Sequence, residues 1–86
     1  MHDQSAQLIK MANQIGTFFE AQTPADAGAA TKAIAAHLKS FWAPSMRTQL
    51  VTSFDQGKAE GLLPIVASAV REHRDKLLPD RGQRVD

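Results

Sequence analysis

Three histidines are the side chains best suited to hold a metal or move a proton near neutral pH, and their surroundings in the sequence support neither role. His2, His37 and His73 each lack a second His, Cys or carboxylate three or four residues away, the spacing that builds a metal site on a helix. His37 lies at the edge of an apolar stripe and reads as a packing or hydrogen-bonding residue. His73 stands among charged residues. Cysteine is absent, which removes disulfides, thiolate zinc sites, iron–sulfur ligation and thiol catalysis together. Ser40 can share a helix face with His37, but a serine nucleophile needs a base oriented by a third group, and no carboxylate is placed to do it. The glycines are scattered and form neither a Rossmann nor a Walker phosphate loop. Met11 and Met46 read as core filler. The expectation is a chain without catalytic, cofactor-binding or metal-binding residues.

The elements that would position a site are short. Eighty-six residues make one domain, expected to span 1–86, and a chain this small buries only about 60–65% of its unfolded surface. Its margin over conformational entropy is slim, so a partner subunit is the natural staple. Ten Lys and Arg against nine Asp and Glu leave a net charge of +1, a weak footprint for nucleic acid. The longest apolar run, 61–67, falls far short of the roughly 20 residues a bilayer requires. The N-terminus lacks the basic start and apolar core of a signal peptide, which points to the cytoplasm.

The periodicity predicts an all-α fold, a small bundle of about four helices near 5–21, 24–41, 44–56 and 64–77, with a loose tail at 79–86. On the first, Leu8, Met11, Ala12, Ile15, Phe18 and Phe19 share one stripe, and Gly16 beside it suggests close approach by a neighbour. Thr23 reads as the cap of the second helix, with Pro24 at its first position and Asp26 completing a short capping box. Its inward side carries Ala27, Ala30, Ile34, His37, Leu38 and Phe41. On the third, Met46, Leu50 and Phe54 form the stripe with Val51 and Arg47 on its shoulder, and Gly57 is a natural left-handed stop. Pro64 opens the fourth, where Arg71–Asp75 and Glu72–Lys76 are expected to pair one turn apart.

The second and third helices meet at Phe41-Trp42-Ala43-Pro44, a corner forced by the proline. Phe41 continues the inward stripe, and Trp42, about 100° further round, is expected to face a partner beside Arg47. Trp42, Pro44, Met46 and Arg47 are therefore the candidate partner-binding residues. A helix-turn-helix would present Arg47, Gln49 and Thr52 outward, but the corner has no polar turn and the third helix bears one basic residue.

Taken in order, three segments resemble one family. Met11-Ala12-Asn13-Gln14-Ile15-Gly16 with Phe18-Phe19 is similar to the opening motif of the delta subunit of NAD-dependent, molybdenum-containing formate dehydrogenase. Ile34-Ala35, His37-Leu38 and Phe41-Trp42-x-Pro44-x-Met46-Arg47-x-x-Leu50 resemble its central motif. Gly61-Leu62-x-Pro64-x-Val66-x-x-Ala69 resembles its closing one, and the likeness spans about residues 8–70. Ser45 departs from it, standing where the family often has a basic residue, and nothing after Leu78 matches. The resemblance implies a non-catalytic accessory subunit of a soluble, cytoplasmic complex. In such a complex an alpha subunit holds bis-molybdopterin guanine dinucleotide and iron–sulfur clusters, beta and gamma subunits carry FMN and further clusters, and NAD takes the electrons. The delta subunit would support assembly or stability of the alpha subunit, its implied partner. The alternatives are a transient factor for molybdenum cofactor insertion and a small DNA-binding helical module. Self-association of the isolated chain stays open.

Overall fold

Prolines set two of the helix starts. Ala43 (φ −62°, ψ 149°) and Leu63 (φ −63°, ψ 149°) are extended, as residues before proline must be, and Pro44 and Pro64 then occupy first helical positions where no backbone donor is needed. In the computed structural model, which describes residues 4–23 and 25–78, the elements are α1 (Gln4–Gln22), α2 (Ala27–Phe41), α3 (Pro44–Asp55), α4 (Pro64–Glu72) and α5 (Arg74–Leu77). No strand occurs among the described residues. The fold is an all-α bundle in which α2 packs against each of the other four helices. Pro24 and the tail at 79–86 lie outside the described residues.

The start of α2 differs from the expected cap. Asp26, not Thr23, is the N-cap: its Oδ1 accepts the Ala29 N–H at 3.0 Å, and the helix begins at Ala27. The Thr23 hydroxyl instead donates to the Phe19 carbonyl at 3.1 Å, and its own carbonyl accepts the Asp26 N–H in the turn before the helix. The stop after α3 is as expected. Gly57 takes φ +74°, its N–H reaches the Phe54 carbonyl and the Lys58 N–H reaches Ser53, the paired bonds of a Schellman motif.

The core holds Leu8 and Ala12 from α1, Ile34, Ala35 and Leu38 from α2, Leu50 and Val51 from α3, Val66, Ala69 and Val70 from α4, Leu77 from α5, and the connecting Trp42 and Leu62. The inward seam of α1 is turned from the expected stripe toward Gly16, which is buried; Met11, Ile15 and Phe19 are only half-buried and Phe18 is exposed. A Cβ at Gly16 would lie 2.3 Å from Val66 Cγ2, so the missing side chain lets α4 seat against α1. Asn13 reinforces the same contact: its Nδ2 donates to the Gly61 carbonyl and its Oδ1 accepts the Leu63 N–H, both at 2.9 Å.

The single helix expected over 64–77 is two. His73 (φ −119°, ψ 24°) ends α4 and starts α5. No proline or glycine marks the break, which is why the periodicity runs through it. The expected pairs Arg71–Asp75 and Glu72–Lys76 do not form. Arg71 donates to the Ser68 hydroxyl, and the one ion pair among the described residues joins Arg74 to Asp55, tying α5 to the end of α3.

Candidate docking surface

Adjacent rings at the corner point opposite ways, but the assignment is the reverse of the one expected. Trp42 is 7% exposed and belongs to the core, whereas Phe41 is 74% exposed. Trp42 follows Ala30, Ile34 and Leu38 at the four-residue spacing of the buried row of α2, and its N–H still bonds the Leu38 carbonyl. The indole therefore stays on the inward face, while the extended backbone of Trp42 (φ −92°, ψ 141°) turns the chain that follows toward α3. Phe41, the last residue in helical conformation, stays on the outer flank of α2 beside His37.

That flank continues across α2 onto α1 as a chain of rings. Phe41 lies 4.7 Å from His37, His37 lies 5.8 Å from Phe19, and Phe19 meets Phe18 edge-on at 5.1 Å. Phe18 is 57% exposed; it and Phe41 are, among the described residues, the large hydrophobic side chains most open to solvent. Between the two helices runs a groove of about 480 Å³ whose walls include Met11, Ile15, Phe18, Phe19 and His37 and which reaches down to Trp42. Gln14 is its polar edge. A largely apolar concave surface with two exposed phenylalanines has the composition of a protein-binding groove, where buried aromatic anchors supply most of the affinity.

The sequence-derived candidates are not one cluster. Trp42 reaches the groove from below, Pro44 is exposed at the start of α3, and Met46 is half-buried against the core. Arg47 was expected on an outer shoulder and is instead 9% exposed. Its Nη1 donates to the Leu77 carbonyl at 3.1 Å, at the end of α5, and its buried Nε has no acceptor. It is also the one basic residue of α3, so that helix offers phosphates no exposed cation. The residues missed were Phe18 and Phe41, both assigned to inward stripes. The available signal was position on the wheel: Phe18 falls at the edge of the α1 stripe, about 100° from Phe19.

Among the described residues no three His, Cys, Asp or Glu side chains come together as a metal site, and no helix is long and apolar enough to cross a membrane. Residues 7–70 match a family model described as NADH-dependent formate dehydrogenase delta subunit FdsD. No curated protein sequence and no solved structure matches the chain.

Proposed function

This chain belongs to the FdsD family of formate dehydrogenase delta subunits, and from that membership we propose that it is a non-catalytic accessory subunit that docks on the alpha subunit through the α1–α2 groove. The observation that carries the proposal is the pair of open phenylalanines, Phe18 in the wall of an apolar groove and Phe41 against its His37 wall, in a chain too small to leave such surface uncovered without cost. Covering them stabilises this chain and the partner together, because anything that binds only the folded state raises its apparent stability. The role is thus assembly or stability of the cofactor-bearing subunit in the cytoplasm. The molybdenum centre, clusters, FMN and NAD site would all reside in other subunits.

The test is co-expression with the remaining formate dehydrogenase subunits. The chain is expected to co-purify with the mature enzyme at one copy per alpha subunit. Presence only on cofactor-free alpha subunit would replace a permanent subunit with a transient assembly factor, and failure to associate with either would overturn the proposal.

A further inference from the structure

α2 has a second uncovered flank. With about 100° between successive residues, Lys32 and Lys39 lie on the side of α2 away from His37 and Phe41. Together with Lys76 of α5 they line a hollow of about 150 Å³, which Ala35, Ala36 and His73 complete. All three lysines are exposed, and among the described residues none forms an ion pair or a side-chain hydrogen bond. Among the described residues no acidic side chain lines the hollow. The break at His73 contributes to this: the Glu72–Lys76 pair that a continuous helix would favour is absent, and Lys76 stands with the lysines of α2 instead. Gathering three like charges from two elements opposes folding through self-repulsion, and no ion pair among the described residues offsets it.

We infer that this hollow is a docking site for an acidic segment of a partner protein, whose Asp or Glu carboxylates meet Lys32, Lys39 and Lys76. Charge complementarity selects the occupant. A single-strand nucleic-acid groove interleaves bases with successive aromatic rings, and this hollow has a single ring, His73, while the phenylalanines are on the other flank of α2. Membrane recruitment takes clusters of about four to eight basic residues, more than this hollow holds. The alanines leave room for a peptide backbone to approach between the lysines. That the segment belongs to another subunit of the same complex rests on the proposed function; the chemistry of recognition does not.

The test uses the full-length chain and a fluorescent peptide of alternating Glu and Ala, with the Gln-for-Glu peptide as control, followed by anisotropy. The intact chain is expected to bind the Glu peptide, more weakly as salt is raised, and not the Gln peptide. Lys32→Glu/Lys39→Glu/Lys76→Glu should lose at least about tenfold in affinity while keeping its circular dichroism spectrum, and Phe18→Ser/Phe41→Ser should bind like the parent. Equal binding by the charge-reversed chain, equal binding of both peptides, or tighter capture of single-stranded RNA or anionic vesicles overturns the inference. A chain that binds the Glu peptide through these lysines but never joins formate dehydrogenase would support it and sink the proposed function alone.

Discussion

At Gly16 one methyl group sets two effects against each other. Alanine would gain about 1 kcal/mol of helix propensity, but its Cβ would fall 2.3 Å from Val66 Cγ2 in a fully buried contact, and overpacking of this kind costs about 1–3 kcal/mol. Val66 is β-branched and cannot swing aside, so the clash wins. Gly16→Ala is expected to lower the urea midpoint, and Val66→Ala in the same chain should relieve part of that loss, so the double variant destabilises by less than the sum of the singles. At the corner, Trp42→Ala removes a core ring and should cost about 3–5 kcal/mol, enough to unfold much of so small a chain. Phe41→Ser should stay within about 0.5 kcal/mol in the same urea series. Equal losses at the two positions would contradict the orientation of the rings. Proline chemistry made the corner legible in the sequence; the directions of its rings were not, because both rings are apolar and only the closed bundle shows that the buried row of α2 runs through Ile34, Leu38 and Trp42 and leaves His37 and Phe41 on its flank.

The elements divide by how their boundaries are made. The starts of α3 and α4 and the stop after α3 follow from Pro44, Pro64 and Gly57, residues whose backbone preferences act locally, and these were legible. The start of α2 depended on which of two candidate caps the chain turn placed at the first helical residues, and the turn at Thr23 placed Asp26 there. The break at His73 has no local signature. The long-range hold of Asn13 on 61–63 was equally invisible, since a polar residue beside an apolar stripe looks like solvated surface. That hold yields a prediction for the α1–α4 joint. Asn13→Ala removes two hydrogen bonds and leaves the Leu63 N–H without its acceptor, a loss of about 1–3 kcal/mol. Hydrogen exchange should show faster exchange at 62–67 with little change in α2. Uniform acceleration across all helices would mean that Asn13 supports the whole fold and not this joint.

As a whole, the molecule presents α2 as an axis with an apolar aromatic groove on one flank and a lysine-lined hollow on the other. The all-α class was legible from length and periodicity. The exposed aromatic flank was not, because a helical wheel ranks residues by hydrophobicity and both Phe18 and Phe41 rank inward. Their exposure appears only when the bundle closes on the smaller seam of Leu8, Ala12 and Gly16. The central claim is that this groove holds the chain in formate dehydrogenase. It is tested most directly by titrating the purified chain and its Phe18→Ser/Phe41→Ser variant into formate dehydrogenase prepared without it. Truncating an anchor at a binding hot spot costs about 2 kcal/mol or more, so the double variant should bind at least about 100-fold more weakly with its helicity unchanged. Binding of the double variant as tight as that of the parent would contradict the account.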